Sequence, residues 1–350
     1  MKACVLTATG GLDSLLVTDV PQSPVPGPGD VRVAIRAAAL NHLDLFVTEG
    51  LPGVEYVFPK IVGADGAGVV ETVGAGVTRV RPGDRVMINP GISCRQCEFC
   101  RKGEHSLCVK YRLLGEHLPG SFAEFVTLPA VNVAPIPAPT PALSWPEAAA
   151  FSLVTLTAWR MLVTRARLQA GEWVLVWGIG GGVSLAALGI AKLFGATVIA
   201  TSSSDAKLVR ARALGADHTL NHRTQQIAKE VRALTGKRGV DIVVDHVGEQ
   251  TWQESLRSLA KGGRVVTCGG TSGPKLVTDV RPLFWHQYSL LGSTMGNDAE
   301  YGEIVRRLGG GELRPLVDRV FPLAEARAAY AYLERGEQMG KVVFTLAGSD

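Results

Sequence analysis

The sequence predicts an α/β protein of two domains, a β-rich one followed by a doubly wound parallel sheet. Three observations carry that reading. At 350 residues the chain exceeds one ordinary domain and suits two of roughly 100–200 residues each. Up to residue 130 it runs in short β-like segments punctuated by Gly and Pro. From residue 171 the rhythm changes to near-continuous Val/Ile runs separated by helical stretches, as in a parallel sheet covered on both faces.

In the first part, Val31–Ile35, Gly68–Val73 and Asp84–Ile88 are bounded by turn residues. Their spacing predicts a mostly antiparallel domain or partial barrel. Ala134-Pro135-Ile136-Pro137-Ala138-Pro139-Thr140-Pro141 then predicts an extended connector. Ser144, Pro146 and Glu147 supply the cap, first-turn and capping-box chemistry of a helix start, so a helix is expected through Ala148–Ala150. Strand Trp173–Trp177, a helix ending near Phe194-Gly195, strand Thr197–Thr201 and helix Asp205–Leu214 open the second domain. Strand Asp241–Asp245, helix Gln250–Ala260 and strand Arg264–Thr267 continue it. A helix over Leu323–Arg335 and a strand over Lys341–Leu346 have no partner in that series and are expected to return to the first domain. The expected boundaries are 1–150, 151–295 and 296–350.

Composition narrows the function classes. The chain is 46% hydrophobic and 19% charged, with mean hydropathy +0.17, which argues for a packed core and against disorder. Lys plus Arg is 36 and Asp plus Glu 32, a net +4 without blocks. No nucleic-acid or membrane partner is expected from that balance. The 41 glycines follow no fibrous period and belong in turns and ligand-hugging loops. Trp173–Ala191 is uncharged and long enough for a membrane span, but Gly178, Gly180, Gly181, Gly182 and Gly189 make it strand, loop and helix start. No signal-peptide pattern precedes Asp13, and a cytoplasmic protein is expected.

Two motifs carry chemistry. Cys94-x2-Cys97-x2-Cys100-x7-Cys108 offers the four thiolates of a closed tetrahedral zinc site. An iron–sulfur cluster also takes four thiolates, but its usual bacterial run has Pro after the last Cys, where Val109 stands here. With every position filled by protein, this metal would be structural. Arg95, Arg101 and Lys102 are expected to offset the thiolate charge, and Cys4 and Cys268 to be small buried hydrophobes. The second motif is Gly178-Ile179-Gly180-Gly181-Gly182-Val183-Ser184 between a strand and a helix. There Gly178, Gly181, Gly182 and Val183 would let backbone amides meet the pyrophosphate of a dinucleotide. Ser184 stands where the fingerprint's last Gly usually lies, which predicts slightly looser packing. The next strand ends at Ser202, where an NAD-preferring unit carries an acidic residue. Hydroxyls there, with Lys207 a turn later, predict NADP(H) over NAD(H). That Ser202–Ser204 only caps the next helix stays open.

Further passages recur in order along essentially the whole chain: Asn41-His42-Leu43-Asp44, Gly63-Ala64-Asp65-Gly66-Ala67-Gly68-Val69-Val70, Leu156-Thr157-Ala158-Trp159 and Gly340-Lys341-Val342-Val343. With the cysteine lobe and the glycine loop, they resemble the medium-chain dehydrogenase/reductase superfamily, the zinc-type alcohol dehydrogenases and their quinone oxidoreductase relatives. The resemblance implies a GroES-like catalytic domain, a Rossmann domain and an active site in the cleft between them. It also implies cofactor contacts at His42 and Thr157, with His222 beside the adenosine ribose. A small-molecule substrate and a homodimer or homotetramer, formed through a last sheet strand at Tyr288–Thr294, complete the expectation.

The departures from the family matter as much. The three catalytic zinc ligands of the alcohol dehydrogenases fall on Asn41, Ala64 and Leu153, and the proton-relaying hydroxyl on Leu43. One structural zinc and no catalytic zinc are therefore expected. Asn41-x-x-Asp44 is similar to the quinone reductase branch, with Asn41 either a hydrogen-bond donor to the acceptor or a positioner of the nicotinamide. Asn41 and Asp44 are the candidate catalytic residues. His42, Asp44 and Asp65 remain as potential ligands, while the favoured alternative has Asp44 and Asp65 making structural hydrogen bonds, since three suitably spaced ligands cannot be assembled. The expected activity is hydride transfer from NAD(P)H to a quinone or an activated alkene or carbonyl. A zinc-type alcohol or aldehyde dehydrogenase, and a nucleotide-binding protein without turnover, are the alternatives.

Overall fold

Alternating burial along the strand Asp30–Ala39 turns Val31, Val33 and Ile35 into the first core. Residues 1–137 and 143–346 are described by a computed structural model. Ala138–Pro141 of the expected connector lies outside them. The chain forms two units, Met1–Leu153 with Asn297–Asp350, and Val154–Gly296.

In the first unit, Asp30–Ala39 pairs antiparallel with Asp65–Val73, Phe125–Pro129 and Lys341–Thr345. Arg85–Ile88 and Val133–Pro135 extend the sheet on one side and Val317–Pro322 on the other. A smaller sheet joins Leu15–Asp19, Lys2–Leu6 and Lys60–Ile61. Leu6, Ile35, Phe122, Tyr330 and Phe344 are among the fully buried side chains of this core. The Phe122 ring meets Phe344 edge-on at 4.9 Å between centroids, a favoured aromatic geometry. The tail thus contributes an interior strand to the first sheet. Ser144 caps the helix Trp145–Trp159, exchanging hydrogen bonds with Glu147.

The second unit is a six-stranded parallel sheet. Its order is His218–Asn221, Thr197–Ser202, Trp173–Val176, Val240–Val244, Leu259–Thr267 and Ser289–Gly292. Leu175, Ile199, Val243 and Val265 pack its core. Two elements differ from expectation. The helix expected at Gln250–Ala260 is Trp252–Ser258, because Asp245 holds the N–H groups of Val247 and Gly248 and the Thr251 hydroxyl ahead of it. At its other end Leu259 pairs with Val240, so the following strand starts five residues earlier than Arg264. Among the described residues, no helix is long and apolar enough to cross a membrane.

Candidate functional site

Strand register assembles a row of polar residues in the first unit. Ala39 lies opposite Asp65 on one side and Val343 on the other. Two residues beyond Val343, Lys341 comes level with Asn41, where the chain leaves its strand for the helix His42–Glu49. Gly340 makes this possible. Its φ is +126°, and a Cβ there would lie 2.6 Å from the Leu316 carbonyl oxygen, so only glycine can precede the lysine.

The row is buried: Asp65 is 0% exposed, Asp44 2%, Lys341 3% and Asn41 6%. Lys341 Nζ donates to Asn41 Oδ1 and, at 3.0 Å, to Asp65 Oδ2. Asn41 Nδ2 donates to Asp65 Oδ2 at 3.0 Å and to the Ala39 carbonyl at 3.3 Å. Leu153 N–H donates to Asp65 Oδ1 at 2.9 Å, and Asn41 N–H to Asp44 Oδ2 at 2.7 Å. A donor-only ammonium faces the Asn41 oxygen and an acceptor-only carboxylate faces its nitrogen, which fixes the amide's orientation. Burial pushes the Asp44 carboxyl up to about 7, against the lowering pull of the Asn41 N–H and the Lys341 charge.

These contacts correct one expectation. Asn41 has no amide hydrogen left for an acceptor, since both are committed to Asp65 and Ala39. They also test the place for a catalytic metal. Asn41 presents an amide already bonded on both faces, and Ala64 and Leu153 present hydrocarbon, so this donor set does not fit zinc. Lys341 is the residue the sequence concealed. It stands in a matching passage, but only the register brings it to Asn41.

The cysteine lobe does fit a metal. Among the described residues, Cys94, Cys97, Cys100 and Cys108 form the one group of three or more His, Cys, Asp or Glu ligand atoms gathered together, all within 4.8 Å of one another. The Sγ atoms of Cys97 and Cys100 are 3.5 Å apart, and those of Cys94 and Cys100 4.0 Å. A zinc 2.3 Å from four sulfurs sets them about 3.8 Å apart. Backbone N–H groups of Cys100 and Val109 bring the Cys97 thiol down to about 6, and those of Gln96 and Cys97 lower Cys94. Burial pushes Cys100 up to about 11. Cys108 Sγ accepts from the N–H groups of Cys94 (3.2 Å) and Lys110 (3.3 Å). Such amides support thiolate ligands. Arg95 does not serve as expected: it pairs with Asp298 at the start of the helix Asp298–Gly309. Lys102 lies 3.8 Å from Glu98. Cys4 and Cys268 are pushed up to about 12 by burial and stay protonated.

In the second unit, Gly178 adopts φ +60° after the strand Trp173–Val176, a left-handed turn suited to glycine. Gly181 is the N-cap of the helix Gly182–Leu193. Its first intrahelical bond runs from Leu185 N–H to the Gly181 carbonyl, so the N–H groups of Gly182, Val183 and Ser184 point past the helix end. Ser184 corrects the expectation of loose packing. It is fully buried, and its hydroxyl donates to the Gly178 carbonyl at 2.6 Å, with that of Gly181 at 2.9 Å. Ser202 is buried at its strand end, and its Oγ accepts the Ser204 N–H at 3.1 Å. Lys207 is half-buried in the next helix. His222 lies 3.3 Å from the Thr201 hydroxyl. With Trp177, Gln225, Val247 and Thr251 it lines a cavity of about 380 Å³ at the carboxyl ends of the strands, where doubly wound sheets bind ligands. Thr157 donates to Met295 Sδ at 3.7 Å, and His42 begins the helix after Asn41.

A chain that carries both a doubly wound sheet with an open glycine-loop helix end and a β-rich unit with a thiolate lobe has the parts of a dinucleotide-dependent oxidoreductase. The alcohol dehydrogenase GroES-like domain family matches residues 27–138, and the zinc-binding dehydrogenase family residues 182–309. A zinc-type alcohol dehydrogenase-like protein of Schizosaccharomyces pombe is 33% identical over 94% of this chain and 93% of its own. A 2-haloacrylate reductase of Burkholderia sp. is 31% identical over 98% of each. The crystal structure of an NAD-dependent alcohol dehydrogenase, 47% identical, matches with a TM-score of 0.93 over 99% of both chains. The chain belongs to the medium-chain dehydrogenase/reductase superfamily and is an NAD(P)-dependent oxidoreductase.

Proposed function

We propose that the protein is a reductase of the quinone oxidoreductase type, passing hydride to a quinone or an activated alkene or carbonyl without a catalytic zinc. The observation that carries this is the Lys341–Asn41–Asp65 cluster. It fills the place that zinc-type relatives give to the metal, and its donor set cannot replace the ligands. Without a Lewis acid to polarise an alcohol or ketone, the acceptor must already be electrophilic. One relative is named for reducing 2-haloacrylate, an activated alkene.

The N–H groups of Gly182, Val183 and Ser184 would hold the pyrophosphate, with Gly178 and Gly181 shaping the turn, and the cavity beside His222 would take the adenine. His42 and Thr157 are assigned to the nicotinamide end. When bound, NAD(P)H supplies the hydride. Ser202 puts no carboxylate at the ribose, and Lys207 offers positive charge to a 2′-phosphate, so NADPH is preferred. A charge-assisted contact contributes roughly 1.5–3 kcal/mol, or about tenfold to a hundredfold in affinity. The lobe would hold one structural zinc per chain.

Oxidation of NADPH is to be followed with a panel of quinones and enones. Turnover with these and one zinc per chain are expected. No turnover with any acceptor would favour a nucleotide-binding role, and two zincs with alcohol oxidation the dehydrogenase reading. Ser202→Asp should shift preference toward NADH, and equal wild-type affinities without that shift would sink the NADPH assignment. The unpaired edge of Ser289–Gly292, near exposed Phe284 and Trp285 (62% and 74%), calls for a second copy. Light scattering should show at least a homodimer, and a monomer at micromolar concentration overturns this.

A further inference from the structure

We propose that Lys341 is the electrophile of the reduction, donating a hydrogen bond to the acceptor oxygen on which negative charge develops. This rests on the reading of the substrate as a quinone or activated alkene. Few donors around the cluster remain uncommitted. Asn41 has given both amide hydrogens to Asp65 and Ala39, and Leu153 N–H is bound to Asp65. Asp65 is an acceptor, and Leu43 is hydrocarbon. Lys341 carries three N–H bonds, of which Asn41 Oδ1 and Asp65 Oδ2 take two. The third has no acceptor among the described residues.

Exposure points the same way. Ala64 and Asp65 are sealed at 0%, whereas Lys341 (3%), Asn41 (6%) and Leu153 (8%) retain a little. What exposure the cluster keeps lies with Lys341, Asn41 and Leu153 and not with the carboxylate that anchors the ammonium. Asp65 holds the charge in place, and Asn41 Oδ1 fixes its direction. A fixed donor in a water-poor site is the arrangement that stabilises a developing oxyanion without reorganisation.

For an enone the step balances as follows. Hydride, with its electron pair, forms a C–H bond at the β-carbon. The alkene π pair shifts toward the carbonyl, giving an enolate whose oxygen accepts the Lys341 hydrogen bond. Lys341 keeps its proton, the α-carbon takes one from water, and the two electrons come from oxidation of NAD(P)H to NAD(P)⁺.

Lys341→Met alone leaves Asp65 an unpaired buried carboxylate, which threatens the fold. The test therefore uses Lys341→Met/Asp65→Asn, with Asp65→Asn as the control that keeps the ammonium. The double variant should melt near wild type, bind NADPH with unchanged Kd and retain its zinc. It should lose about a hundredfold in kcat for an enone, with a smaller loss for a quinone, which needs less help. Asp65→Asn, which keeps the lysine but removes its anchor, should fall between wild type and the double variant in kcat for the enone. Binding of p-nitrophenolate to the NADP⁺ complex gives a readout without turnover, expected to weaken about tenfold in the double variant. Enone kcat and phenolate affinity both within about threefold of wild type would overturn the proposal. If wild type reduces neither acceptor class, the functional reading falls, and the phenolate measurement alone decides the role of Lys341.

Discussion

The cysteine lobe and the Lys341 cluster lie in the same unit, and the family resemblance implies a metal position at each. They have gone opposite ways. The lobe keeps four soft donors converging on a point, supported by backbone amides. The cluster has an ammonium, a carboxylate and an amide bonded to one another, with one ammonium hydrogen left over among the described residues. A cation site therefore survives loss of its metal ligands if a cationic side chain can be brought in against an existing carboxylate. The same exchange is unavailable in the lobe, where four thiolates would need far more than one ammonium to stay buried together.

Removing a ligand from the lobe is the harshest way to break this comparison. Cys97→Ser should abolish zinc binding and lower the melting temperature more than any other change considered, because closed thiolate sites contribute folding free energy. The lobe is also tied inward. Arg95 pairs with Asp298, whose N–H donates to His105 Nδ1 at 3.3 Å. The helix that begins there carries Tyr301, bonded to Ser152 at 3.0 Å, and Leu153 next in the chain donates to Asp65. Loss of zinc should thus reduce kcat as well, while NADPH binding by the surviving folded fraction is unchanged. Zinc analysis, calorimetry and cofactor titration on one preparation check all three. A variant with full zinc content and an unchanged melting curve would overturn the four-thiolate assignment.

The contrast also explains what could be read from sequence. The lobe is local: its ligands lie within fifteen residues and their spacing alone announces them. The glycine loop is local too, and the Val/Ile rhythm made the parallel sheet legible. Lys341 is 300 residues from Asn41. Its passage could be matched, but its purpose appears only when the tail strand pairs with Asp30–Ala39. The expected donor role of Asn41 met a different obstacle: its amide hydrogens go to Ala39 and to Asp65, which the pairing of Asp30–Ala39 with Asp65–Val73 brings beside it. Ser184 misled differently. Size alone suggested looser packing, whereas the hydroxyl closes the loop by bonding its carbonyls.

The gentlest probe of the comparison is pH. Beside the Lys341 cluster, Asp44 packs near the Cys4 thiol and the Tyr330 hydroxyl, both held neutral by burial, and feels the opposed charges of Lys341 and Asp65. Its carboxyl titrates at about 7 in the fold, against 3.8 in an exposed chain. The native state therefore binds a proton that the unfolded chain has released between those values. Stability from Asp44 is complete below pH 3.8, is lost as pH rises toward 7, and is constant above. His222 and His246, lowered by burial, act in the opposite sense over the upper part of this window, so the raw curve is a compromise. Subtracting the curve of Asp44→Asn isolates the carboxyl. The variant keeps an oxygen for the Asn41 N–H but cannot ionise, so wild type should lose melting temperature relative to it between pH 5 and 7.5. Zinc content should be the same in both across that range, which separates this effect from the thiolates. Parallel melting curves would mean that Asp44 is already ionised in the fold, with the Lys341 charge reaching it more strongly than burial repels it.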